Sequence, residues 1–406
     1  MSKFEWTNWG GNQTFTAEKF FRPASEEEAI AVIREAVSQG RSVRVAGGGH
    51  SFTPVVRTDG LLLDLGALSG VIAIDKVNQR AQVAAGSTIA ALGEPLWSAG
   101  LSIENQGDID VQSIAGAIAT GTKGSGTAFG SLSSRVTSLR IVNGLGEVVD
   151  IDGDTADYLR AGQVALGLLG PVVRVGLQLV PAYRLKEENI ILPMSEVLRQ
   201  WDYLLGAYRH FSFWWMPTAH SAQMYKLGEV PADHCFVKLL QEAPADEADI
   251  PQGGVNRRTD RAYRIYPDGT TDAEFHELEY MVDAADAREA VERMQYLMRT
   301  GFPEEISPLQ VRWQKADSGY LSPQSGRDST SISVSGAIGR NYLPFLRAVD
   351  RALRPLSARP HWGKLHFLDR PRVSELYPDY SRFMQIRRQM DPRDLFLNPH
   401  FAALFA

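Results

Sequence analysis

Residues 43–51 read VRVAGGGHS: valines alternate with other positions, three glycines follow in a row, and a histidine and a serine close the stretch. Such alternation is the pattern of a β-strand, and the glycines begin where the strand should end. Upstream, Ser25 followed by Glu28 forms a capping box, and Ala29, Ile30, Ile33, Ala36 and Val37 recur at helical spacing until Gly40. The order is helix, strand, glycine loop. A dinucleotide-binding Rossmann unit has the reverse order, its glycines opening the helix that follows the strand, and no Gly-Lys-Ser/Thr follows here to make a P-loop. Consecutive glycines do offer a backbone without Cβ atoms, which can approach a ligand closely and aim successive N–H groups at an anion. A plain turn in a β-rich protein is the alternative.

Downstream, VIAID (71–75) and AQVAAG (81–86) flank a polar turn and predict a hairpin. A helix is expected from about Thr88 to Ala99, with Ile89, Leu92 and Leu96 as its apolar stripe and Gly100 at its end. Small residues then dominate 113–135, and Gly116 to Gly126 is expected to be a second glycine loop. TSLRIVNGLGEVVDI (137–151) predicts another hairpin. After residue 182 the glycines thin out and Trp201, Trp214 and Trp215 appear, which places a domain boundary there. In HELEYMV, Leu278, Tyr280 and Val282 share one face, and a helix carrying Val291, Met294, Leu297 and Met298 follows. Two more strands have one apolar and one polar face: LQVRWQ sets Gln310, Arg312 and Gln314 opposite Leu309, Val311 and Trp313, and SISVS sets Ser331, Ser333 and Ser335 opposite Ile332 and Val334. A sheet of this kind suits a domain that covers something polar; a half-solvated sheet is the alternative.

At 406 residues the chain exceeds one ordinary core. Its net charge of −6 argues against a nucleic-acid footprint, and the interrupted run RRTDRAYR (257–264) is expected to be a solvated loop. One cysteine, Cys235, excludes an internal disulfide framework and a cysteine-based metal cluster. The opening MSKFEWTNWGGNQTF lacks a secretory pattern, and no apolar run approaches the roughly 18 residues that span a bilayer. The expectation is a cytoplasmic enzyme with a small-molecule substrate, no nucleic-acid or membrane partner and no metal.

Four motifs, VRVAGGGHS, IENQGDIDVQSIAGAIATGTKGSG, LLGPVVRVGLQLVPAY and RPHWGKLH, stand in an order and at separations that resemble the vanillyl-alcohol-oxidase-type FAD-linked oxidoreductases. The chain is most similar to their aldonolactone (gulono- and arabinono-lactone) oxidases and alditol oxidases, from TNWGGNQTF to DPRDLFLNPHF, strongly before residue 182 and thinly between about 185 and 300. The resemblance implies an α+β fold of the PCMH type: an FAD-binding domain of two small α/β subdomains (1–182), a substrate-binding cap domain with an antiparallel sheet flanked by helices (183–365), and a C-terminal segment returning to the FAD domain (366–406).

It also implies roles. The cofactor would be FAD, bonded covalently through His50 to the 8α-methyl of its isoalloxazine. Backbone contacts would come from Val45, Ala46, Gly47, Gly48, Gly49 and Ser51, then from Ser113, Gly116, Ala117 and Ala119, with Val172 beyond. Gly107, Asp108, Lys123 and His361 would lie near the ring. Arg312 and Lys364 match family positions where a cation stabilises charge on the reducing flavin and the substrate oxygen. Gln310, Arg312, Ser333, Ser335 and Lys364 would meet substrate.

Three positions depart from the pattern. Gln310 replaces the glutamate that pairs with the arginine and cannot take a proton; Lys123 and Ser333 replace histidines. If a general base is needed, Asp108 is one carboxylate that could supply it, and an aspartate after glycine is also a common turn residue. The expected activity is oxidation of an aldono-1,4-lactone with O2 as acceptor, giving H2O2. An alditol oxidase, or a dehydrogenase with another acceptor, is the alternative within the family. A flavin- or sugar-binding protein without turnover is the alternative outside it.

Overall fold

The computed structural model describes residues 3–250, 257–268 and 275–406. In the N-terminal half, Lys19–Phe21, Leu61–Asp64 and Val43–Ala46 pair as a three-stranded parallel sheet with the Leu61–Asp64 strand in the middle. The Glu26–Ser38 helix covers it, burying Ala29, Ile33, Ala36 and Val37 beside Val43, Leu61 and Leu63. Ser25 Oγ accepts from Glu28 N at 3.1 Å, while the Glu28 carboxylate reaches back to Ala24 N at 2.7 Å. The return bond of the capping box thus falls one residue before the cap.

Both predicted hairpins form, Val71–Asp75 with Arg80–Ala84 and Val136–Val142 with Val148–Ile151, and Val172–Gln178 joins them into one antiparallel sheet. The helix after the first hairpin runs Ile89–Ser98, capped by Thr88. Three C-terminal helices, Arg370–Leu376, Tyr380–Met390 and Pro399–Phe405, place Val373, Phe383, Phe401 and Phe405 in the same core as Val83, Leu139 and Val175.

An eight-stranded antiparallel sheet dominates the rest. Its order is Arg257–Arg261, Arg184–Pro193, His234–Ala243, His210–Trp215, Leu309–Gln314, Ser329–Ala337, Phe275–Asp283 and Arg359–Pro360. One face packs Val237, Phe213, Val311, Ile332 and Leu278 under the helices Met194–Ala207, Ala287–Tyr296 and Leu343–Leu353. The other face carries two cross-strand rows, Phe236–Trp214–Gln310–Ser333–Glu279 and Asn189–Lys238–Ser212–Arg312–Ser331. Leu309–Gln314 is buried at every position, so both faces are covered and the half-solvated alternative does not hold.

Two local expectations are corrected. RRTDRAYR is an edge strand and a short helix rather than a solvated loop, because Arg258 turns inward to pair with Glu187, its Nε donating to Oε1 at 3.2 Å and Nη2 to Oε2 at 2.5 Å. Arg44 is buried too, donating to the carbonyls of Val55, Leu166 and Phe396 at 2.5, 2.7 and 2.8 Å. Residues 114–120 are not loop but a short helix, since Ser113 caps it and its alanines favour helix more than its one glycine opposes it. Among the described residues no helix is long and apolar enough to cross a membrane, and no group of acidic, His or Cys side chains is placed to hold a metal ion.

Candidate active site

The glycine loop leaves the Val43–Ala46 strand and runs against the 111–116 segment. A Cβ on Gly47 would lie 2.3 Å from Ser113 Oγ, one on Gly48 would lie 2.8 Å from Val111 O, and Gly49 has φ +70. Only glycine permits this approach and this backbone. Among the described residues, the N–H groups of Gly47, Gly48, Gly49, His50 and Ser51 have no hydrogen-bond partner. They border a cavity of about 260 Å³ that is also lined by Val45, Ala46, Ser113, Gly116, Ala119 and Val172. Gln112 Oε1 at the same wall is buried without a partner among the described residues. Unpaired donors beside a cavity with mostly apolar walls fit a cofactor that carries a pyrophosphate and a ring system, which is what FAD carries.

The later glycines act differently. Ala117 belongs to the hydrophobic core and does not line the cavity. A Cβ on Gly124 would lie 2.2 Å from Gln106 O, and Gly126, at φ +105, packs against Arg209 O. Gly116 is thus the one glycine of the expected second loop that lines the cavity.

A second cavity, of about 690 Å³, lies between the glycine-loop region and the polar face of the eight-stranded sheet. His50, Val111 and Gln112 line both cavities. The His50 ring stacks on Trp9 with centroids 4.8 Å apart. Burial, helped by the Lys364 charge, lowers its pKa to about 4, so it is neutral at pH 7. His361 also lines the second cavity, and burial holds its pKa at about 3.

Charged groups alternate across this cavity. Arg312 donates through Nη1 to Asp108 Oδ2 and through Nη2 to Glu279 Oε1, both at 2.7 Å. Lys123 Nζ donates to the same Glu279 oxygen at 2.6 Å, and the side chains of Lys123 and Glu279 are each 1% exposed. Burial opposes the charge on Glu279, but Lys123 and Arg312 outweigh it and hold the carboxyl well below its ordinary pKa. Asp108 is likewise lowered, burial being overcome by Arg312 and Lys238. Burial and the neighbouring Arg312 depress Lys123 to about 8. Asp108 keeps 36% of its side chain exposed, and its Oδ1 has no partner among the described residues. Lys364 forms an ion pair with Glu277, whose other oxygen accepts from Ser333 Oγ at 2.6 Å.

Of the expected residues, Gln310, Arg312, Lys364, Asp108, Gly107, Lys123 and His361 all line this cavity. Ser333 and Ser335 do not; they stand behind it, Ser333 bonded to Glu277 and Ser335 to the Tyr225 hydroxyl at 2.6 Å. Sequence reasoning missed Glu277 and Glu279. The signal was present, because they alternate with Leu278 and Tyr280 and must occupy the opposite face.

The D-arabinono-1,4-lactone oxidase family profile matches residues 175–249 and 234–404, and an FAD binding domain profile matches 17–152. The chain is 34% identical to the L-gulono-1,4-lactone dehydrogenase of Mycobacterium tuberculosis, covering 97% of each chain. It is 26% identical to the L-gulonolactone oxidase of Mus musculus over 99% of this chain and 98% of the relative. It is 27% identical to the alditol oxidase of a Streptomyces species over 97% of each. Among solved structures, cholesterol oxidase from Brevibacterium sterolicum superposes with a TM-score of 0.83 at 15% identity, covering 100% of this chain and 97% of that one; this likeness concerns the fold.

Proposed function

The chain belongs to the aldonolactone oxidase family of FAD-dependent oxidoreductases, and on that premise we propose that it oxidises an aldono-1,4-lactone at a hydroxyl-bearing carbon held between Asp108, Arg312 and Lys364. The observation that carries this is the Asp108–Arg312–Glu279 chain, which fixes a cation between two carboxylates and leaves one Asp108 oxygen open to the cavity.

FAD, when bound, supplies the acceptor for the hydride. The protein does the rest. Asp108 Oδ1 accepts the hydroxyl proton of the substrate, and the oxygen left behind is stabilised by the Arg312 guanidinium and the Lys364 ammonium. Glu279 supplies the carboxylate that Gln310 cannot, but its side chain is 1% exposed and its Oε1 is shared by Lys123 and Arg312, so it positions Arg312 rather than meeting the substrate. Glu277 steadies Lys364, and Ser333 steadies Glu277. The loop N–H groups from Gly47 to Ser51 hold the pyrophosphate, with the neutral His50 as the point of covalent attachment.

Oxygen is the proposed acceptor, with H2O2 as product, because Gly107 presents no side chain to the second cavity. Gly107 does not have positive φ, so its turn does not require glycine. The name of the Mycobacterium relative favours a dehydrogenase as the second reading.

Flavin bleaching under nitrogen tests the activity. A panel of aldonolactones and alditols should include a lactone that bleaches the bound flavin. Bleaching by alditols alone selects the polyol alternative, and a photoreducible flavin that no member bleaches returns the protein to binding without turnover.

A further inference from the structure

The second cavity extends beyond Arg312 along the polar face of the sheet. Lys238 lies opposite Asn189 on one side and Ser212 on the other, and Ser212 lies opposite Arg312. Lys238 therefore sits two strands from Arg312, about 10 Å away at ordinary strand spacing. Asp108, Lys238, Asn189 and Glu187 all line the same cavity.

Asn189 donates from Nδ2 to Glu187 Oε1 at 2.7 Å, and its Oδ1 is buried without a partner among the described residues. The carboxylate accepts only, so the amide cannot be turned round, and the free oxygen calls for a donor from a ligand or a water. Lys238 Nζ reaches Asp268 Oδ1 at 2.7 Å and Glu187 Oε2 at 3.5 Å, leaving one of its three protons for another acceptor. Beside this row stand Phe236 and Trp214, edge to face with centroids 5.9 Å apart. Apolar side chains would fill this wall at no loss of stability, since a buried cluster of charges seldom outperforms them.

We propose that Asn189, Lys238 and Glu187 form a second hydroxyl-binding subsite, which holds the tail of a polyhydroxylated substrate whose reacting end lies at Arg312. This rests on the reading of the cavity as the site of sugar-derived substrates. The donor and acceptor left free match the two capacities of a hydroxyl, the aromatic pair offers a face for the C–H side of the carbon chain, and a backbone spacing of about 10 Å puts both subsites within reach of one small polyhydroxylated molecule.

The experiment compares a six-carbon aldono-1,4-lactone with 2-hydroxy-γ-butyrolactone, which has the ring and its hydroxyl but no tail. In Asn189→Leu the ratio of kcat/KM for the first to that for the second should fall about tenfold, the effect of one lost hydrogen bond. Lys238→Met, checked by its melting temperature, should lower the ratio further. An unchanged ratio in both variants overturns the subsite. Calorimetric titration of the flavin-loaded protein with a six-carbon alditol decides the matter apart from turnover: about tenfold weaker binding in Asn189→Leu supports the subsite, whereas equal affinity, or no binding to the wild type, overturns it. If the wild type oxidises neither lactone, the proposed activity fails while this titration still tests the subsite.

Discussion

Replacing Glu279 by Gln removes one charge and almost no volume, yet it should be among the most costly substitutions in the chain. Glu279 Oε1 accepts from both Lys123 and Arg312, whose side chains are 1% and 8% exposed. Without the carboxylate, both cations remain buried with Asp108 as the nearest counter-charge, and Lys123, already depressed to about 8, sheds its proton at neutral pH. Breaking a buried pair by removing one partner costs about 3–5 kcal/mol. For a unit the size of the eight-stranded sheet and its helices this corresponds to a fall in Tm on the order of 10 °C. Thermal unfolding of the flavin-loaded Glu279→Gln protein, followed by tryptophan fluorescence, measures it directly. The double variant Lys123→Met/Glu279→Gln should recover a substantial part of the loss, because one cation leaves with the carboxylate. A single variant melting within about 2 °C of wild type would mean that water screens these charges, and would refute the account of a desolvated network.

Four further outcomes follow from the site. The Lys123 pKa in the fold, about 8, lies below the 10.5 of the free side chain, so between those values the unfolded chain binds the additional proton and stability rises with pH; relative to Lys123→Met, wild type should gain up to about 3 kcal/mol across that window in denaturant titrations. His50→Ala should release its flavin on acid precipitation while the native protein still binds FAD, since the loop N–H groups remain; a wild-type protein that releases all its flavin contradicts the covalent link. Arg312→Ala or Lys364→Ala should slow flavin reduction in stopped flow by about two to three orders of magnitude, and rates within twofold of wild type would leave both without a catalytic role. Gly107→Ala should slow reoxidation of the photoreduced flavin in aerated buffer: its Cβ meets Lys123 O at 3.2 Å and Thr122 Cγ2 at 3.4 Å, so the fold can admit it, and a wild-type flavin that stays reduced in air but reoxidises with a dye identifies a dehydrogenase.

Local periodicity carried the hairpins, the capped helices and the two-faced strands, because each depends on neighbours in the chain. The glycine loop and its capacity for an anion were legible in VRVAGGGHS itself, whereas its particular cofactor and the roles of Arg312 and Lys364 were legible through resemblance alone, since nothing in LQVRWQ or RPHWGKLH says that the two segments share a cavity. The facing of Glu279 was legible from its strand, but its partners were not, because Lys123 and Arg312 lie 156 and 33 residues away in the chain. Arg258 was misread for a related reason: charge patterns describe solvated faces, and a guanidinium that finds a carboxylate inside the fold leaves no mark on the local sequence. The subsite residues were invisible because they belong to the stretch where the resemblance is thin.

The buried Arg44 sets a condition on the order of assembly. Its guanidinium joins carbonyls from residues 55, 166 and 396, and nearby Val43 N donates to Leu395 O, while Asn398 holds the carbonyls of Pro54 and Arg57. The strand that leads into the glycine loop is thus fastened by residues from the far end of the chain. On the ribosome those residues emerge long after the strand they fasten, Phe396 standing 352 positions beyond Arg44. A nascent chain that has completed its first 182 residues holds every loop donor yet lacks the clasp that fixes their aim, so a firm seat for the pyrophosphate has to wait for the residues around Phe396.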